Sequence, residues 1–214
     1  MNRINDILIV GAGGQARVNI SILQKNKNWN ISGIIDLNFH NQTEEIMGFS
    51  ILGGDDWIHE WVSNNSKAIN VSLAIGDNSL RRKWFDKLKE LGCLFPNLVS
   101  ESAIIDSSVK SKGEGNIFSD FSFIGPNCKV GDNNIFNTRS TIEHETVVGS
   151  HSHMAPHSLA LGRSKIGSEV LIGASSVIFP NVFIPNNSTL GSNSMLTKSP
   201  TESGIFIGSP AKKA

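Results

Sequence analysis

Only two cysteines, Cys93 and Cys128, occur in the 214 residues, far apart and without metal-type spacing. The fold must therefore be held by its own core, and a reducing cytoplasm is the expected compartment. Charge of one sign is equally scarce. Nineteen basic and nineteen acidic residues cancel, and neither sign forms a long run, so the electrostatic footprint of a nucleic-acid or membrane-surface binder is missing. No apolar stretch approaches the roughly 20 residues of a transmembrane helix. The N-terminal MNRINDILIV lacks the basic, apolar and cleavage regions of a signal peptide. A small-molecule partner remains, and 39% apolar residues suffice for one large domain or two small ones.

The chain changes grammar midway. DILIV (6–10) runs into GAGGQA (11–16), and an apolar-periodic stretch to about Asn26 suits a helix. ISGIID (31–36) and INVSLAIG (69–76) read as further strands. Asp77-Asn78-Ser79 starts a helix that carries Leu80, Trp84, Leu88 and Leu91 at three- and four-residue spacing and stops at Gly92. This is the βαβ pattern of a parallel sheet, and about ninety residues are enough for one mononucleotide-binding half of a doubly wound fold.

From Asn116 onward the period is six. Cut as NIFSDF SFIGPN CKVGDN and so on to SMLTKS, fourteen hexads carry an apolar residue in the third place, from Phe118 through Ile142 to Leu196. The place after it is Gly in six hexads, and the first place is mostly Ser, Thr, Val or Cys. Neither a helix nor an ordinary strand has this period. A three-faced prism does, with each hexad supplying one short parallel strand and eighteen residues making a coil. The apolar residue points inward, a small residue shares the interior, and Gly and Asn are expected at the corners because they accept positive φ. Before Phe118 the register slips: Ile105 and Val109, rather than Asp106 and Lys112, look inward, and KGEG (112–115) reads as a loop.

Four of the six histidines, His144, His151, His153 and His157, fall within fourteen residues. His144 is flanked by Glu143 and Glu145, and a carboxylate on one imidazole nitrogen fixes the tautomer and raises the basicity of the other. Either that tripeptide is a general base or it is a solvated corner. The period favours the first, since Glu143 and His144 occupy places that elsewhere hold Gly, Pro or small turn residues. A three-histidine metal site is the competing chemistry. No trio of histidines repeats a facing position over whole coils, so no metal is expected. GAGGQA matches G-x-G-x-x-A directly after a strand, with Asp36 twenty residues beyond Ala16. Alone this suggests a dinucleotide. On a half-sized sheet it suits a nucleoside diphosphate, or it is a tight turn without ligand.

Taken together, VGAGGQARV, the IID strand end, AIGDNSLRRK (74–83), FNTRSTIEHETVVGSHSHMAP (136–156) and the closing GIFIGSPAKK (204–213) resemble the hexapeptide-repeat sugar acyltransferases of the bacillosamine N-acetyltransferase and sialic-acid O-acetyltransferase group. The resemblance implies a Rossmann-like nucleotide-sugar-binding half domain over residues 1–98. It implies a left-handed parallel β-helix acetyltransferase domain over 99–214. It implies His144 as proton acceptor, with Glu145 raising its basicity and Glu143 assisting. Acetyl-CoA, the co-substrate, would meet His153, Ala174 and Ser192, with the Gly162 amide near the thioester carbonyl. The nucleotide-linked amino sugar would meet Gly13, Gly14, Gln15, Asp36, Leu37 and Gly76, with Asn137 near the reacting centre. A homotrimer with active sites shared between subunits is also implied. Transfer is expected to be direct, because neither cysteine lies near the histidine cluster in sequence.

The favoured acceptor is the 4-amino group of a UDP-linked 4-amino-4,6-dideoxy sugar, as in bacillosamine synthesis. GDP-perosamine, another nucleotide amino sugar or a sialic-acid hydroxyl keeps the chemistry and changes the acceptor. A non-catalytic nucleotide-binding protein is the alternative from another class.

Overall fold

A computed structural model describes residues 5–36, 38, 45–64 and 68–214, and the chain separates into two compact units, Met1–Glu101 and Ser102–Ala214. In the first, β1 (Asn5–Val10), α1 (Gly14–Lys25), β2 (Trp29–Ile35), β3 (Glu45–Ile46), β4 (Phe49–Gly53), α2 (Asp55–Asn64), β5 (Asn70–Leu73) and α3 (Asn78–Glu90) follow in order. The sheet order is β3-β4-β2-β1-β5, parallel except for the β3–β4 hairpin. The hydrophobic runs build its core: Leu8, Val10, Ile35, Val71 and Leu73 pack with Trp84, Phe85 and Leu88 of α3. The Asp77 side chain caps α3 by accepting from the Leu80 amide at 2.7 Å, as its place before the apolar spacing predicts. The β3–β4 hairpin, whose strands of two and five residues are too short to display a period, and the ten-residue α2 are elements that the reading of the sequence did not assign.

The second unit is the prism. Its first face stacks Ile117–Phe118, Ile135–Phe136, His153–Met154, Leu171–Ile172 and Thr189–Leu190, each paired in parallel with the strand one coil away. The second face stacks Ile104–Ile105, Phe123–Ile124, Thr141–Ile142, Leu159–Ala160, Val177–Ile178 and Met195–Leu196. The third stacks Lys129–Val130, Val147–Val148, Lys165–Ile166 and Phe183–Ile184. All fourteen third-place residues are at most 2% exposed. They form one continuous core, within which the Phe118 and Phe136 rings stack with centroids 5.0 Å apart. Val109 is buried and Ile105 packs against the same core, while Lys112 is exposed.

The corners correct one expectation. Left-handed φ values of 55–61° recur every six residues from Phe121 to Asn193, at the third place after the inward residue, and none of these residues is glycine. Asparagine supplies five of them, but Glu145, His151, His157 and Arg163 sit there too. The glycines directly after inward residues are selected by stacking instead. A Cβ on Gly149 would lie 2.8 Å from the Gly167 carbonyl carbon and the Ser168 nitrogen of the next coil, and one on Gly125 would lie 2.9 Å from the His144 nitrogen.

The first place of the hexad also carries more than small size. Its side chains donate to turn carbonyls one coil on: Asn134 to Gly149 at 2.9 Å, Ser152 to Gly167 at 2.9 Å and Ser176 to Gly191 at 2.6 Å. Buried carbonyls require such partners. Ser152 Oγ additionally accepts from the Val170 amide at 3.0 Å. Ser152→Ala therefore leaves two buried groups unpaired and is expected to remove about 2 kcal/mol of stability. A urea midpoint unchanged from wild type would contradict this ladder.

Candidate active site

The first unit carries a cleft of about 460 Å³ at the carboxyl ends of its strands, where a parallel sheet exposes its loops for binding. Gly11, Ala12 and Gly13 after β1, Asp36 after β2, Asp55 after β4 and Ala74, Ile75 and Gly76 after β5 line it, with Asn38, Leu80 and Trp84. Gly11 has φ +108, and a Cβ there would lie 2.6 Å from the Ala74 carbonyl oxygen. Only glycine lets the two loops approach so closely. Gly13 is the N-cap of α1 and brings no side-chain acceptor to the first turn, where the Ala16 amide donates to the Gly13 carbonyl at 3.1 Å and the helix N-terminus favours an anion. Open space surrounds the positions a Cβ would take on Gly13, Gly14 and Gly76.

Of the residues singled out for this region, the structure gathers Gly13, Asp36 and Gly76 in the cleft. Gly14 begins α1. Gln15 turns along the helix, its amide donating to Asn19 Oδ1 at 3.0 Å. Leu37 lies outside the described residues. Two arginines were missed. Arg17 donates to the Gly13 carbonyl at 3.2 Å and so lies beside the glycine loop. Arg81, fully buried, donates to the Ile75 and Gly76 carbonyls at 3.0 and 3.2 Å and to Asn78 Oδ1 at 2.7 Å, fixing the loop that forms one wall. Both belong to the VGAGGQARV and AIGDNSLRRK segments, where only a pattern for cations facing a loop would have marked them.

In the prism, the turn after Ile142 holds Glu143, His144 and Glu145. His144 Nδ1 lies 3.1 Å from Glu145 Oε2, and the same oxygen accepts from Arg163 Nε at 3.0 Å. That contact assigns the proton to Nδ1 and leaves Nε2 as the acceptor. The hydrogen bond from His144, helped by the Arg163 guanidinium, holds the Glu145 carboxyl below its usual range. The ring lies over Gly162, one coil on, where a Cβ would collide with Nε2 and Cε1. Glu143, His144, Leu161, Gly162, Arg163, Pro180 and Asn181 line the cleft.

The amides of Asp132 and Ser150 donate to Ser150 and Ser168 hydroxyls one coil on, and that of Ser168 to Asn186. At the equivalent place on this edge the following residue is Pro180, and no hydrogen bond from the Gly162 amide to protein is present among the described residues. The cleft therefore joins an imidazole acceptor to a backbone donor.

Cys128 corrects a second expectation. Although sixteen residues from His144 in sequence, it sits under the same turn, its thiol donating to the Glu143 carbonyl at 3.0 Å. It is 2% exposed, and burial raises its pKa. A buried thiol spent on a carbonyl is no nucleophile.

The other predicted residues fall elsewhere on the prism. Asn137, Ala174 and Ser192 occupy turns after the first face, and His153 lies on that face, its Nε2 accepting from Asn137 Nδ2 at 3.3 Å. They share an edge with one another, and His144 stands on the next edge. His151 pairs with Asn133 on the third edge, at 2.9 Å. Among the described residues no group of three His, Cys, Asp or Glu could hold a metal.

The PglD N-terminal domain model matches residues 6–88. PerB of Caulobacter crescentus, solved with CoA and GDP-perosamine, is 27% identical over 98% of this chain and 97% of its own, with a TM-score of 0.89. The acetyltransferase domain of PglB from Neisseria gonorrhoeae is 21% identical over 98% and 100%, with a TM-score of 0.87. WeeI of Acinetobacter baumannii is 22% identical over 96% and 98%, with a TM-score of 0.84. These last two share the fold, a Rossmann-like half domain leading into a left-handed parallel β-helix. A glycine loop that alone suggested a dinucleotide is thus attached to a prism with an imidazole on its edge; residues 6–88 carry a PglD N-terminal domain, and the chain is similar over nearly its whole length to a protein solved with CoA and a nucleotide-linked amino sugar.

Proposed function

We propose that the chain transfers an acetyl group from acetyl-CoA to the amino group of a nucleotide-linked 4-amino-4,6-dideoxy sugar, with a UDP-linked sugar as the acceptor. The observation that carries the reading is the imidazole of His144, held through Nδ1 by Glu145 with Nε2 over Gly162. A sugar ammonium with a pKa near that of an α-amino group, about 7.7–8.0, gives its proton to Nε2 as its nitrogen attacks the thioester carbonyl. The Gly162 amide holds the developing oxyanion. Collapse of the tetrahedral adduct forms the amide C–N bond, breaks the C–S bond and releases CoA, whose thiolate takes a proton. Glu143 assists from the cleft wall.

In the first unit, the α1 N-terminus at Gly13 suits the diphosphate and Asp36 suits the ribose hydroxyls. His153, Ala174 and Ser192, with Asn137 at the reacting end, receive the CoA arm. These residues and His144 belong to different edges of one prism, which supports a site completed by a neighbouring copy. The outward side chains of the second face agree with a homotrimer, since Ile104, Phe123, Leu159, Val177 and Met195, interrupted only by Thr141, make a mostly apolar stripe that keeps solvent exposure in the single chain. The cytoplasm, where acetyl-CoA and nucleotide sugars are made, is the compartment this reading requires.

GDP-perosamine is the second acceptor to consider, because PerB at 27% identity was solved with it. Incubating the protein with acetyl-CoA and UDP-, GDP- and dTDP-linked 4-amino sugars or a sialic acid, while following thiol release, separates these readings. Acetylation of a nucleotide amino sugar is expected. Saturable NAD binding with no thiol release from any acceptor would sink the reading.

A further inference from the structure

We infer that Arg163 is the third member of the base assembly, a positioning residue that holds the Glu145 carboxylate against His144 and offsets its charge there. The inference rests on His144 being the base. Eighteen residues after Glu145, Arg163 is one full coil along the same edge. It grips the catalytic turn twice: its amide donates to the His144 carbonyl at 3.0 Å, and its Nε donates to Glu145 Oε2 at 3.0 Å. Its backbone is left-handed, at φ 60, a conformation that favours Asn, Asp and His over other side chains. Asn127, Asn133, Asn181, Asn187 and Asn193 fill the equivalent place elsewhere, and so do Phe121, Arg139 and Glu169. The turn therefore does not select the side chain, and what sets Arg163 apart is the contact of its head group with Glu145.

That head group acts on the pair in two ways. Glu145 is half-exposed, and alone it would sample rotamers that leave Nδ1 without a partner. Clamped between His144 and Arg163, it has one. The electrostatic role is opposite in sign. His144 has two carboxylates beside it on its own turn, Glu143 and Glu145. The preceding coil contributes uncharged Pro126 and Asn127 and the buried Cys128 thiol, whose pKa burial raises, and the coil beyond Gly162 contributes uncharged Pro180 and Asn181. Arg163 is the one cation among the residues lining the cleft. It offsets part of the carboxylate field around the ring.

The test is the pH dependence of kcat/KM for wild type, Arg163→Asn and Arg163→Lys, with His144→Ala alongside. Asparagine suits the left-handed turn, so Arg163→Asn should fold as wild type does. Its acid-limb midpoint is expected to rise, because a cation beside the Glu145 carboxylate is lost, with a several-fold lower kcat. Arg163→Lys keeps the charge without the planar fork and is expected to keep the midpoint while losing kcat. An Arg163→Asn profile that superimposes on wild type overturns the inference. So does a raised acceptor KM with an unmoved midpoint, since the guanidinium would then act on substrate. With His144→Ala inactive, either result removes Arg163 alone. An active His144→Ala removes the base itself, and this inference with it.

Discussion

Replacing His144 with alanine is expected to lower kcat by about 10²–10⁴, the usual worth of a positioned general base, while leaving the fold intact. Both parts follow from its surroundings. The side chain is about half exposed, at 52%, and contributes nothing to the prism core, which is built from the third-place residues of each hexad. Its removal therefore takes away an acceptor without opening a cavity. No nearby group can substitute. Glu145 is bonded to Nδ1 and Arg163, on the side away from the acceptor nitrogen, and its lowered pKa makes its carboxylate a poor proton acceptor at neutral pH. Cys128 is buried under the turn. Steady-state turnover with saturating acetyl-CoA and the best nucleotide amino sugar, together with a thermal melt, checks the claim. Near-normal kcat in a folded His144→Ala protein would remove the imidazole from the mechanism.

The sequence made the prism readable because burial dictates it. The third place of each hexad packs only against other apolar side chains, so fourteen apolar residues at a period of six survive as a visible pattern from Phe118 to Leu196. The left-handed corner was less readable, because a solvent-facing turn accepts Glu145, His151 or Arg163 almost as well as Asn. Stacking, not backbone freedom, explains the glycines after the inward residues, and stacking appears only once coils lie on one another. The same holds for the partners of the His144 turn. Arg163 and Cys128 lie eighteen and fifteen residues from Glu145 and Glu143, spacings that mean adjacency only in an eighteen-residue coil. The period itself held that signal, and applying it from Glu145 onward would have found Arg163. Arg81 and Asp55 had no such ruler, since the loops of the first unit converge through sheet order rather than through a repeat.

Glycine at position 162 carries the other large effect. Gly162→Ala is expected to reduce kcat by about 10² with little change in melting temperature, whereas Gly149→Ala is expected to lower stability and leave the site's chemistry alone. Neither glycine has a left-handed φ, so backbone strain does not separate them. What a Cβ would meet does. At Gly149 the nearest atoms include the backbone of Gly167 and Ser168 in the next coil, which cannot move without separating strands, so the penalty falls on folding. At Gly162 the three nearest atoms all belong to the His144 imidazole. An exposed ring can swing away, and the fold survives. The swing carries Nε2 off the position from which it meets the amine, and a displacement of about 1 Å is worth 10² in rate. It also parts the ring from the Gly162 amide, the donor for the oxyanion, so base and donor lose their alignment together. Gly162→Ala with wild-type kcat and the ring still bonded to Glu145 would mean that the imidazole does not work from this position.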